Sequence, residues 1–280
     1  MNTVKLDEVL QKIYNLPSLP SVVLELLESI DQEDIKVDSL AKKIAQDQAL
    51  TAKTLRLANS SFYGMSNQVN TIHEAIAILG FRTVRTLVTT AALLDTFSGR
   101  MHAGFNAAPF WRHALATAIC ARELAVQLNS NPERAYTAGL LHDIGRLVLV
   151  TQFQAKYLAT MAYRDQHDCG LLDAEKAVLG LDHAAIGHAL TNHWKFPASV
   201  QLAIASHHST TSMGLPTLST VVVAADAITH ALDLSRDKND LVPHICTGLW
   251  KQLGLEEKAL FDVFSSTEKQ FQAASLVLTA

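Results

Sequence analysis

Residues 139–149, GLLHDIGRLVL, set His142, Asp143 and Arg146 into a stretch that is otherwise apolar. From Ala135 to Val150 the only other polar side chains are Tyr136 and Thr137, so the pattern predicts one helix, apolar nearly all round and central in the fold. His142 and Arg146 are four apart and Asp143 and Arg146 three apart, which puts all three groups on one side of that helix. Burying a carboxylate costs roughly several kcal/mol unless it is paired or bound to a metal. Two explanations stand at this point. Asp143 forms an ion pair with Arg146 while His142 bonds to a carbonyl, or the group holds a metal ion.

Four other segments point polar groups inward. In FWRHALATAICARELAVQL, His113 lies on the stripe of Ala116, Cys120 and Leu124. His183 follows Asp182 at a predicted helix start, on one face with Gly187, Leu190 and Trp194. Val200 and Ile204 lead at helical steps to His207 and His208, and Val222 and Val223 lead to Asp226, with His230 one turn later. Each residue taken alone has a plain structural explanation: a satisfied core histidine, a helix-end pair favoured by the dipole, an Asp226–His230 contact. Together they form a set of imidazoles and carboxylates suited to divalent iron, manganese, zinc or nickel, without the cysteines of a closed structural zinc site. Two divalent ions against two carboxylates and neutral imidazoles leave a net positive site. Such a site attracts phosphate and lowers the pKa of a bound water from about 15.7 toward 7.

The segments that must position these residues read as helices almost everywhere, giving an all-α fold of more than ten helices with short connections. Val23, Leu26, Leu27 and Ile30 form one apolar stripe; Leu40 and Ile44 form another behind Asp38, read as an N-cap. Thr71 and Glu74 form a capping box closed by Gly80, and Asn131 with Pro132 starts the helix carrying the central motif. STVVVAADA continues into ITHAL and is read as helix. Gly139 and Gly145 let neighbouring backbones come close. Of the 12 histidines only His73 precedes residue 100. That asymmetry, with the polar stretch SGRMHAGFNAAP at 98–109, divides the chain into a helical part at 1–104 and a second helical part at 105–280 with the candidate site.

A chain with 49% hydrophobic and 18% charged residues describes a globular protein. The net charge of −4 argues against a general nucleic-acid binder. The stretch DSLAKKIAQDQALTAKTLRLAN has a helix-turn-helix outline, but residues 1–104 hold ten Lys or Arg against eleven Asp or Glu and give it no electrostatic support. Cys120, Cys169 and Cys246 have no metal or disulfide spacing. The acidic N-terminus and the lack of a long uncharged apolar run predict a cytoplasmic protein with no membrane partner.

These segments resemble, in order, the HDOD group of the HD superfamily of metal-dependent phosphohydrolases, a group of bacterial signalling proteins. LPSLPSVVLELLESI, QDQALTAKTLRLANSSFYG and IHEAIAILGFRTVRTLV carry the likeness in the first part; FWRHALATAICARELA, AGLLHDIGRLVL, LGLDHAAIGHALTNHWKFP, IASHHS and VVVAADAIT carry it in the second. The resemblance implies a multi-helical bundle with an additional N-terminal helical part. It implies a metal site of His113, His142, Asp143, His183, His207, His208 and Asp226, holding a divalent transition metal, two ions, with Asp143 bridging. Arg146 stands where active relatives commonly have lysine; it can hold a phosphate but cannot donate a proton at neutral pH. Glu175 and His230 are implied to orient the ligands. STTSMGLPTL follows the histidine pair in place of the GYP signature, so cyclic di-GMP hydrolysis is not implied.

Two functions follow from the resemblance. One is a metal-dependent phosphohydrolase acting on a phosphate ester or nucleotide, with Asp143 and Arg146 as catalytic residues. The other is a non-catalytic signalling module in which a metal or nucleotide in the helical pocket tunes a surface for a protein partner.

Overall fold

The computed structural model describes residues 4, 6–14, 16, 19–28, 37–59, 68–97, 104–211, 214–238 and 240–275. Among them are sixteen helices and no strand, which is the expected all-α class. Six precede residue 98: α1 (Leu6–Tyr14), α2 (Ser21–Glu28), α3 (Val37–Gln46), α4 (Gln48–Ala58), α5 (Ile72–Leu79) and α6 (Phe81–Phe97). Ten follow: α7 (Ala107–Gln127), α8 (Pro132–Leu141), α9 (Ile144–Gln152), α10 (Gln154–His167), α11 (Leu171–Leu179), α12 (His183–His193), α13 (Ala198–Ser206), α14 (Thr217–Ala231), α15 (Thr247–Leu253) and α16 (Glu257–Ser275). Residues 98–103 of the stretch read as a seam lie outside the described residues, as do 29–36 and 60–67 of the N-terminal segments.

Local capping chemistry sets several boundaries. Thr71 Oγ1 accepts from Glu74 N at 3.1 Å and Glu74 Oε2 accepts from Thr71 N at 3.2 Å, the reciprocal box expected at the start of α5. Gly80 ends that helix at φ +81°, a conformation L side chains rarely adopt. Asn131 Oδ1 accepts from Glu133 N and Arg134 N ahead of Pro132. Asp38 departs from expectation: α3 begins at Val37, so Asp38 lies in the first turn, its charge near the positive helix end, and is not the cap. Asp47, alone between α3 and α4, caps α4 by accepting from Leu50 N at 2.9 Å.

α7 is the centre of the second part. Its run of small residues, Ala114, Ala116, Ala118 and Ala121, is buried on nearly every side, and α8, α14 and α16 pack around it. Contact with α8 is intimate because Gly139 has no side chain: a Cβ there would lie 2.8 Å from Thr117 O and 2.9 Å from Ala118 Cα. The first part joins the same apolar core, which runs from Val4 to Ala274. Val4 N donates to Leu179 O at 2.8 Å, and Tyr14 meets His193 edge-on.

The largest departure from the sequence reading is at the central motif. No single helix spans 132–150; α8 ends at Leu141, α9 begins at Ile144, and His142 and Asp143 form the joint. In a continuing helix Gly139 O would accept from Asp143 N. Here the His142 ring takes that carbonyl, with Nδ1 donating to Gly139 O at 2.7 Å. Asp143 settles at φ −96°, ψ 7°, a sparsely populated region, and the chain restarts with Arg146 N on Asp143 O.

Candidate metal centre

The joint and three other helix ends or faces bring the donors together. His113 projects from α7, His183 is the first residue of α12, His207 and His208 follow the last residue of α13, and Asp226 and His230 lie one turn apart on α14. Asp182 fixes the start of α12 by accepting from Ala185 N at 2.9 Å, which sets the direction of His183. α9 and α12 cross with backbones almost touching at Gly145, where a Cβ would lie 1.9 Å from His183 O. That crossing carries His183 to Asp143.

All seven predicted ligands meet in one buried cluster. Asp143 Oδ1 is 3.0 Å from His183 Nε2, 3.5 Å from His207 Nε2 and 3.8 Å from His142 Nε2. Asp226 Oδ1 is 2.9 Å from His113 Nε2, 3.5 Å from His142 Nε2 and 3.3 Å from His230 Nε2. The nitrogens also face one another: His113 and His142 Nε2 at 3.1 Å, His183 and His207 Nε2 at 3.3 Å, His208 and His183 Nε2 at 2.8 Å. The plain pairing foreseen for this motif is present too, with Arg146 Nη1 donating to Asp143 Oδ2 at 2.7 Å.

Proton placement separates these explanations. A carbonyl can only accept, so His142 Nδ1 and His207 Nδ1, at 2.7 Å from Gly139 O and Ile204 O, carry the hydrogens. His183 Nδ1 is likewise engaged by Glu175 Oε2 at 2.6 Å, an oxygen that also accepts from His183 N at 2.8 Å. In their neutral forms these three rings present only Nε2 lone pairs to the cluster. Lone pairs facing one another and two carboxylates across about 3 Å repel unless a cation lies among them. Donors bound to one ion at about 2.1 Å sit roughly 3.0–3.4 Å from each other, a range that holds four of these nine separations and comes within 0.1 Å of three more. His113 Nδ1 is buried and, among the described residues, has no hydrogen-bond partner. The donor set fits a divalent transition metal.

Electrostatics point the same way. Burial works against the charge of Asp143, but His142, Arg146 and His183 outweigh it and hold the carboxyl well below the usual range. Asp226 is held low against burial by the imidazoles of His113, His142 and His230. Burial opposes the charge of His183 as well, yet Glu175 and Asp143 push its pKa up to about 10. His208 is driven down to about 2 by burial and by His207 and His183, and burial lowers His113 and His207. The protein thus keeps two ionised carboxylates in its interior, with burial holding His113, His207 and His208 neutral while the carboxylates draw charge onto His183 and His230. Donor atoms fall into three groups whose members all lie within 4.8 Å of one another: Asp143 with His183, His207 and His208; His113 with His142 and Asp143; and His113 with Asp226 and His230.

Two residues beyond the predicted ligands hold the geometry. Glu175, itself buried on α11, was foreseen as an orienting group and grips His183 at two atoms. Replacing it with Gln is expected to weaken metal binding about 10- to 100-fold, the usual effect of losing a group that orients a ligand. Isothermal titration of chelator-stripped protein with Mn(II) checks this; unchanged affinity would contradict it. Asp240, 3.3 Å from His230 Nδ1 through its Oδ2, was not foreseen. It lies in the loop after α14, where no periodicity marks which side chains turn inward.

Among the described residues no helix is long and apolar enough to cross a membrane. Residues 16–210 match the family model of the HDOD domain. The crystal structure of a candidate phosphohydrolase from Shewanella amazonensis SB2B is 31% identical, with 94% of this chain and 97% of that one covered and a TM-score of 0.69. An HDOD domain protein of unknown function from Geobacter sulfurreducens shares the fold, with a TM-score of 0.82 over 98% of this chain and 99% of that one at 23% identity. An uncharacterised protein of Treponema pallidum (strain Nichols) is 27% identical over 205 residues, 72% of this chain. The match spans 39% of that relative's length.

Proposed function

The chain belongs to the HDOD family, and from that premise we propose that it is a metal-dependent phosphohydrolase acting on a phosphate ester or nucleotide in bacterial signalling. The observation that supports this most is the convergence of Nε2 lone pairs from His142, His183 and His207 on Asp143 and Asp226. His113, His142, Asp143, His183, His207, His208 and Asp226 would hold divalent iron or manganese, two ions, with Asp143 facing both groups of donors. Such ions supply Lewis-acid polarisation of a phosphoryl oxygen and a nucleophilic water of lowered pKa.

The protein's own contribution is orientation and charge. Arg146 keeps one amino group on Asp143, lies over the Phe110 ring at 5.5 Å, and is partly open to solvent. Its Nε–H is buried with no hydrogen-bond partner among the described residues, leaving a donor free for a phosphate oxygen. Asp143 raises its pKa further against the effect of burial, so the guanidinium stays charged and serves as an anion clamp, not a proton donor. Glu175 keeps the His183 proton on Nδ1 and its lone pair toward the site.

Protein stripped with chelator and reloaded anaerobically with Mn(II) or Fe(II) is expected to hydrolyse generic phosphate esters or members of a nucleotide panel. Arg146→Ala should lower kcat/KM roughly 10- to 100-fold, the worth of one hydrogen bond to a charged group. Loaded protein that turns over no member of either panel would sink the hydrolase reading and leave the signalling module, with the metal or a nucleotide tuning a protein partner.

A further inference from the structure

We propose that His230 is itself a metal ligand, forming with His113 and Asp226 a further cation subsite at the edge of the cluster, with Asp240 as its positioning residue. The inference rests on the metal reading above and deepens it.

Asp226 Oδ1 is approached by three imidazole nitrogens, at 2.9 Å from His113, 3.3 Å from His230 and 3.5 Å from His142. Only the His113 contact has hydrogen-bond geometry. The His142 ring gives its Nδ1 proton to Gly139 O, and one oxygen offers two lone pairs. A cation among these atoms removes the conflict, and the donor atoms of His113, Asp226 and His230 lie within 4.8 Å of one another. Asp226 and His230 are four residues apart on α14, so both project from one face, and the His113 and His230 rings lie nearly side by side with centroids 4.2 Å apart.

A carboxylate also stands behind His230, though without the hydrogen-bond geometry seen at His183. Glu175 Oε2 stands 2.6 Å behind His183 Nδ1, and Asp240 Oδ2 stands 3.3 Å behind His230 Nδ1. A carboxylate behind an imidazole fixes its tautomer and aims the other nitrogen at a metal. The loop holding Asp240 is anchored for the purpose. Ser235 Oγ donates to Asp240 Oδ2 and accepts from Asp237 N at 3.0 Å. Arg112, the neighbour of His113, donates to Leu234 O at 2.9 Å and to Ser235 O at 3.3 Å. One helix therefore supplies both a ligand and the clamp for the loop behind the next. His230 is partly exposed, with 15% of its side chain open, as His208 is in the Asp143 group, so this subsite too reaches toward solvent.

The test uses the full chain, stripped of metal and titrated with Mn(II), with bound equivalents measured by elemental analysis after desalting and affinities by calorimetry. His230→Gln is expected to bind one equivalent fewer than the unaltered protein while keeping the metal of the Asp143 group. Asp240→Asn should keep the stoichiometry at saturation and weaken the last equivalent about 10- to 100-fold. If His230→Gln fails to fold by circular dichroism, the Asp240→Asn affinity decides. A His230→Gln protein that keeps every equivalent, or an Asp240→Asn protein with unchanged affinities, overturns the subsite and leaves the Asp143 site standing. Unaltered protein that binds no Mn(II) overturns the metal reading of the whole cluster.

Discussion

Asp143→Ala is expected to lose the metal of both donor groups that contain Asp143, leaving at most the equivalent held by His113, Asp226 and His230. Its Oδ1 faces His183, His207 and His142, while its Oδ2 holds Arg146. It is the one carboxylate that belongs to two of the three donor groups, so its loss removes negative charge from both at once. The metal-free variant should also be less stable by about 3–5 kcal/mol, because the Arg146 guanidinium and a His183 ring that gains charge from this carboxylate lose their buried partner. Asp143→Asn separates the two effects: the amide keeps the volume and a bond to Arg146 but not the charge a divalent ion needs. Elemental analysis and thermal denaturation of both variants check the expectation, and a variant that retained every equivalent would show that Asp143 only pairs with Arg146.

Gly145→Ala should be nearly as damaging although it touches no donor. The added Cβ would lie 1.9 Å from His183 O, 2.7 Å from Gly187 N and 2.9 Å from His183 C, all backbone atoms that no rotamer change can move. α9 and α12 must therefore separate. Overpacking usually costs about 1–3 kcal/mol; a clash against two backbone segments belongs at the upper end or beyond. A fall in Tm of about 6–12 °C follows on the scale for a chain of about this size. Because the same displacement draws His183 away from Asp143, metal affinity should fall with stability. Gly170→Ala is the control, since its Cβ would meet only Asp173 Oδ2 at an ordinary 3.7 Å. Equal Tm values for the two variants would refute the close crossing.

Much of this was legible because helices advertise their faces. His113, His183 and Asp226 stand on stripes whose neighbours are all apolar, and the caps at Thr71, Asn131 and Asp182 announce themselves by residue type. The joint at His142 and Asp143 was not legible. Every residue from Leu140 to Leu149 tolerates a helix, and what breaks it is a competition between the His142 ring and a backbone amide for the Gly139 carbonyl, which propensity does not register. Asp38 was misplaced by two positions for a milder reason, since an acid is welcome both at a cap and in the first turn. Asp240 escaped because it works from a loop, where neither a 3.6-residue nor a 2-residue period says which way a side chain turns. Its role depends on Ser235 and on Arg112, more than a hundred residues away.

The contact between His113 and Asp226 joins positions 113 residues apart in the chain. An ion held by both would act as a crosslink. In the chain-entropy picture a bond closing a loop of about a hundred residues restricts the unfolded ensemble by about 4.7 kcal/mol, comparable to the whole stability of many domains. Metal supply would then set the lifetime of the folded chain as well as its chemistry, and in a cell starved of the ion the protein would become a substrate for proteolysis before it became merely inactive.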